Sequence, residues 1–152
     1  MITIEEVGPD FSPRVFNLVF KLLNELSEGS GDTPKLDPTK ILADWQSSES
    51  RFTVFIAFSE SMEALGIVTI AENFAIYAGG NYGIINELYV EPSVRSKQIG
   101  KMLIETAKAY AQAKGWRRLD VVAPLGDKWQ RTVNFYVREG FVQTGPKLKF
   151  MV

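Results

Sequence analysis

Apolar and polar positions alternate over residues 2–7 closely enough to predict an opening strand. The period then changes. Phe11, Val15, Leu18, Val19, Leu22, Leu23 and Leu26 recur every three or four residues, a helical stripe whose start is marked by Ser12-Pro13. Residues 27–38 (SEGSGDTPKLDP) lose this period and collect Gly, Ser, Asp and Pro, so a loop is expected. Asp37-Pro38-Thr39 opens a short helix through Ile41, Leu42 and Trp45, ending near Gln46. Residues 52–58 and 64–71 are apolar runs of strand length. The segment Ser59-Glu60-Ser61-Met62-Glu63 joins them as a hairpin connection. Gly79-Gly80-Asn81 predicts a turn before a strand over 84–90. A phosphate loop is not read there, because no GxxxxGK[ST] pattern follows.

Further along, Ile99, Met102, Leu103, Ala107, Tyr110 and Ala111 mark an amphipathic helix with Gly115 as its cap. A strand over 119–123 stops at a proline. A helix over 128–139 carries Trp129, Val133, Tyr136 and Val137 on one face. Gly140-Phe141-Val142 begins another strand, and residues 148–152 form the last. The order β-α-α-β-β-β-α-β-α-β-β predicts an α/β (α+β) fold, a mixed sheet with helices on both faces. No repeat, linker or low-complexity segment interrupts residues 1–152, and the length suits one domain that buries roughly 68–70% of its unfolded surface.

Composition changes the picture mainly by exclusion. A net charge of −1 supplies no overall basic field, so nucleic acid is not an expected partner. Cysteine is absent, which removes disulfides, thiolate metal sites and a cysteine nucleophile, and fits a cytoplasmic protein. Histidine is absent too, which removes Ser-His-Asp catalysis and most zinc sites. Acid–base chemistry near neutral pH is left to Asp, Glu, Tyr or Lys. The start MITIEEV lacks a signal-peptide pattern. No apolar run approaches the roughly 18 residues of a membrane span, so no membrane partner is expected.

The chemistry concentrates in residues 86–102, NELYVEPSVRSKQIGKM. A short apolar strand, Leu88, Tyr89 and Val90, stops at Glu91-Pro92. A basic, donor-rich loop follows and then a helix begins. The first N–H groups of a helix have no intrahelical partner and carry the positive end of the macrodipole, so this order builds an anion cradle. Arg95 and Lys97 flank it, with Lys101 one turn on. A solvated basic loop is the plain alternative.

Arg95-Ser96-Lys97-Gln98-Ile99-Gly100 resembles the acetyl-CoA-binding motif of the GNAT N-acetyltransferases, Q/R-x-x-G-x-G/A. Gln98 stands where the motif has its first glycine and is expected to hold an ordinary helical φ. Phe135-Tyr136-Val137-Arg138-Glu139-Gly140-Phe141 matches the family's FY-x-x-x-GF segment, and the element order is the family's along nearly the whole chain. The family often has an asparagine six residues before that phenylalanine, on the pantetheine arm. Trp129 occupies that position, with Asn134 elsewhere on the helix as the candidate replacement.

The resemblance implies a mostly antiparallel sheet of six to seven strands and direct transfer of acetyl from acetyl-CoA to a primary amine, a small molecule preferred, without a metal. It places acetyl-CoA on Leu88, Tyr89, Val90, Arg95, Ser96, Lys97, Gln98, Ile99, Gly100 and Lys101. It makes Tyr136 the group that helps the thiolate leave, against the plain reading of a core aromatic. Glu87, in an apolar strand, is the candidate base, since burial raises a carboxyl pKa; by alternation it shares a face with Tyr89. A glutamate simply bonded to a neighbour is its alternative. Glu25, Glu28 and Asp32 surround the first loop, where a cationic acceptor would lie, although acidic loop residues are usually just solvated. Two other readings stay open: a CoA-binding sensor without turnover, motivated by Gln98 and Trp129, and a protein N-terminal or lysine acetyltransferase. Homodimers are common in the family, and the sequence argues neither for nor against one.

Overall fold

The structure is a computed structural model that describes residues 1–27, 35–124 and 126–152. Five strands form one sheet in the order β1-β2-β3-β4-β5. They are β1 (Thr3–Val7), β2 (Phe52–Phe58), β3 (Ala64–Ala75), β4 (Gly80–Val90) and β5 (Leu119–Val121). The first four pair antiparallel, and β5 joins β4 in parallel. Helices α1 (Ser12–Ser27), α2 (Pro38–Ser47), α3 (Ile99–Ala113) and α4 (Gln130–Arg138) supply both covering layers.

The helical stripe of α1 explains one layer. Val15 and Leu18, with Trp45 of α2, pack on Val54, Ile56, Ile67 and Tyr89. On the other face Leu103, Ile104 and Ala107 of α3 and Tyr136 of α4 pack on Val68, Ile70 and Ile85. Strand β2 is covered on both faces, so it reads as a continuous apolar run. Asp37 caps α2 as its position ahead of Pro38 predicts, its carboxylate accepting from Thr39 N at 3.1 Å. Helix α3 ends at a left-handed Gly115, with Trp116 N donating back to Ala111 O at 3.0 Å.

Two features position the site. First, β4 carries a bulge: Thr69 faces Glu87 while Ile70 faces Ile85, which leaves Asn86 without a partner on β3. The extra residue brings Ile85 and Leu88 to the α3 face although they are three apart, and leaves Glu87 and Tyr89 on the α1 face. Second, the parallel ladder to β5 stops just before that bulge, at Ile85 and Val121. Strand β5 ends there while β4 runs on to Val90, so the last part of β4 has no partner on that side.

The strands expected from Gly140 and over 148–152 do not form, so among the described residues the sheet has five strands and not six or seven. Alternating apolar residues make a strand when one face can be buried. Here Val142, Leu148 and Phe150 are 82, 90 and 89% exposed. Left-handed Gly140 and Gly145-Pro146 also interrupt the backbone. Only Phe141 turns inward, edge-on to Tyr136. Among the described residues no helix is long and apolar enough to cross a membrane.

Candidate functional site

Where the β4–β5 ladder ends, a cleft of about 650 Å³ lies along the remainder of β4. Its floor is β4 from Ile85 to Val90. One wall is the loop after β4 with the first turn of α3, and the other is the end of β5 with α4. Leu22, Glu25 and Leu26 of α1 close one end, so the cleft passes through the sheet from the α3 layer to the α1 layer. It is mixed in character, with Leu88, Val90, Val121, Phe135 and Trp129 beside several charges.

At its basic end the chain makes a short 3₁₀ turn, Pro92–Lys97, before α3. Gln98 links them at φ 65° and ψ 18°. This corrects the expectation of a helical φ: Gln98 adopts the left-handed conformation that glycine takes without steric cost, and bears a cost of about 1–2 kcal/mol for its Cβ. The left-handed step turns the chain sharply into α3. No side chain caps α3, no acid lies in its first turn, and its first backbone bond runs from Met102 N to Gln98 O at 3.1 Å. The N–H groups of Ile99, Gly100 and Lys101 are therefore left without helical acceptors. Gly100 sits against Phe135, where a Cβ would meet the ring at an ordinary 3.5 Å. Packing against Phe135 therefore does not require a glycine there.

The expected cofactor residues fall into two groups. Leu88, Tyr89, Val90, Arg95, Ser96, Gln98, Gly100 and Lys101 all line the cleft. Lys97, Ile99 and Asn134 do not. Ile99 is fully buried under α3, Lys97 is exposed on the turn, and the exposed Asn134 accepts from Gln130 Nε2 at 2.9 Å. Arg95 is tethered three ways. Nε donates to Val90 O at 2.9 Å, Nη2 to Glu25 Oε2 at 2.8 Å, and the guanidinium lies over the Tyr89 ring at 5.5 Å. The bond it donates to Glu25 raises its already high pKa. Lys21 likewise reaches Glu91 at 2.7 Å, so α1 is tied twice to the loop after β4. Glu25, expected on the acceptor side, therefore meets the basic loop directly. Glu28 and Asp32 lie outside the described residues.

Tyr136 and Glu87 occupy different settings. Tyr136 lines the cleft, is 7% exposed, and packs between Phe135 and Phe141. Burial pushes its phenol up to about 12, so it keeps its proton at any physiological pH. Glu87 is not a lining residue. Its carboxylate accepts a hydrogen bond from the buried Thr69 hydroxyl, whose oxygen in turn accepts from Glu87 N at 3.1 Å. Burial raises the Glu87 carboxyl pKa, opposed by the Thr69 bond and by the positive charge of Lys147. Asn86, the unpaired bulge residue, lines the cleft instead. Arg131, Thr132 and Arg138 also line it and were not anticipated. Arg131, Phe135 and Arg138 share helical spacing on a face of α4 other than the apolar one that carries Val133 and Tyr136, so the apolar pattern did not mark the two arginines.

Residues 17–141 match the Acetyltransferase (GNAT) family. An IAA acetyltransferase of Azospirillum brasilense is 28% identical over 128 residues, 84% of this chain and 79% of that protein. Among solved structures, an aminoglycoside acetyltransferase from an uncultured soil metagenomic sample, in complex with sisomicin, superposes with a TM-score of 0.76. Its identity is 18%, and the match covers 99% of this chain and 95% of that one. A predicted acetyltransferase of Clostridium acetobutylicum with acetyl-CoA gives a TM-score of 0.78 at 17% identity, covering 99% and 96%. The left-handed turn into an uncapped α3, the cleft beyond the short β4–β5 ladder and the family match agree: this chain is an acyltransferase and belongs to the GNAT acetyltransferase family.

Proposed function

We propose that the protein transfers acetyl from acetyl-CoA directly to a primary amine of a small molecule. The observation that carries this reading is the cleft itself. It has bare helix donors and cations at its basic end, beside α1, and a buried phenol along its wall. Acetyl-CoA supplies the activated acetyl thioester. The residues present fit it: α3 offers uncapped N–H groups, Gln98 holds the glycine-like turn, and Arg95, Lys101, Arg131 and Arg138 face a single lining carboxylate, Glu25. The left-handed Gln98 also weakens the motive for a domain without turnover. Aminoglycoside acetyltransferases among the structural relatives support a small amine as acceptor.

Each step then asks something of this chain. Freeing an alkylamine of pKa about 10.4 at neutral pH takes roughly 4–5 kcal/mol. Glu87 is the base in this reading, acting through water because its carboxylate lies beside Thr69 and not on the cleft wall. Tyr136, on the cleft wall, would serve the departing sulfur. Moving a proton from a phenol near 12 to a thiolate near 8.5 is uphill by about 5 kcal/mol, so Tyr136 acts chiefly as a hydrogen-bond donor and solvent completes the transfer.

The test is the melting temperature with acetyl-CoA, with AMP as control, followed by thiol release across an amine panel. Saturation at 100 times Kd adds about 2.7 kcal/mol, a rise of several degrees for this size. No rise with acetyl-CoA removes the donor. A rise without thiol release from any amine removes the acceptor class.

A further inference from the structure

The α4 wall of the cleft carries two cations that the rest of the molecule does not use. Arg131 and Arg138 both line it, and among the described residues neither has an ion pair, hydrogen bond or ring partner. They are seven residues apart, two helical turns and roughly 10 Å along one face of α4. The other lining cations are engaged. Arg95 holds Glu25 and the Val90 carbonyl, and Lys101 reaches Glu139, whose side chain is 8% exposed, at 3.4 Å. The described lining thus has four cations and one carboxylate, in a chain of net charge −1. Positive charge has been gathered at this wall beyond what internal pairing uses.

Coenzyme A carries a bridging diphosphate and, on its ribose, a separate phosphate monoester. The uncapped turn of α3 suits the diphosphate, whose oxygens can meet several backbone N–H groups at once. A monoester concentrates nearly two negative charges on three oxygens and is better met by whole cations than by a partial dipole. Guanidinium forks match that geometry in a way that a lysine point charge does not. Resting on the acetyl-CoA reading, we propose that Arg131 and Arg138 form a second anion site, distinct from the α3 N-terminus, that takes this phosphate monoester.

Calorimetric titration of the intact protein with coenzyme A and with 3′-dephospho-coenzyme A tests this at fixed salt. The wild type is expected to bind coenzyme A at least tenfold more tightly, on the strength of charge-assisted bonds. The double variant Arg131→Gln/Arg138→Gln, at exposed positions that should not disturb folding, is expected to erase that preference while its dephospho-coenzyme affinity stays within twofold. A circular-dichroism melt checks that the variant is folded. Equal binding of the two ligands by the wild type overturns the proposal and leaves the donor reading standing. So does a double variant that loses both ligands equally. Failure of the wild type to bind either one removes the donor reading, and this site with it.

Discussion

Tyr136 is buried and Glu87 half-buried, and loss of water moves both pKa values upward, yet the consequences for chemistry differ. The phenol becomes a more secure proton holder, and Tyr136→Phe is expected to lower turnover by about 10²-fold or more with little change in acetyl-CoA affinity. Steady-state kinetics beside calorimetry separate the two, and unchanged turnover would remove Tyr136 from the mechanism. The carboxyl becomes a stronger base that is ionised only at higher pH, so activity should rise with pH through the raised Glu87 value. Thr69 bonds the ionised form and pulls that value back. Thr69→Val should therefore move the acidic limb of kcat/KM to higher pH, Thr69→Ser should restore it, and Glu87→Gln should abolish it. Carbon NMR of the Glu87 carboxyl reads the same shift without turnover, and an unmoved titration in Thr69→Val would contradict it. Stability follows the opposite sign. Burying Glu87 costs nothing below its unfolded pKa, and the penalty grows as pH rises from there to the folded value.

At the scale of elements, the turn into α3 and the seat of Trp116 rest on single backbone positions. Gln98→Val puts a β-branched residue at a φ of 65° and should cost about 1 kcal/mol, whereas Gln98→Gly should be neutral or stabilising in denaturant titrations. Gly83 lies under Trp116, where an added Cβ would fall 2.4 Å from the indole. Gly83→Ala should cost about 1–3 kcal/mol by overpacking, and a neutral result would mean Trp116 can move. The elements themselves were mostly legible. Periodicity located α1, α2 and α3, and β2 was read at its observed bounds, because each of these buries one face or stripe. The left-handed Gln98 was not legible, because glutamine carries no preference for that conformation and the requirement comes from the turn. The last two expected strands failed for a related reason. Val142, Leu148 and Phe150 have strand-forming side chains, but burial, which spacing alone cannot supply, is missing. Cleft residues within the loop motif could be read from the sequence. Arg131 and Arg138 emerge only once α4 is placed against β5.

Taken as a whole, the molecule joins two unequal parts. Strands β2, β3 and β4 form a meander of neighbours in sequence, and most of the large fully buried side chains lie there or in α3. Strand β5 meets β4 through only three residue pairs and is reached by a crossover through α3, with α4 following it. Local pairings form early and cheaply, and long-range parallel ones late. The narrow ladder between β4 and β5 is therefore expected to be a seam in cooperativity as well as one border of the cleft. Amides of Leu119–Val121 and Gln130–Arg138 should exchange with solvent deuterium sooner than those of the meander, and slow selectively when acetyl-CoA is bound. Uniform protection across both parts would argue for a single unit. A lesion in the meander should then unfold the protein, while a lesion beside the seam should leave a folded protein whose grip is restored by raising the ligand concentration.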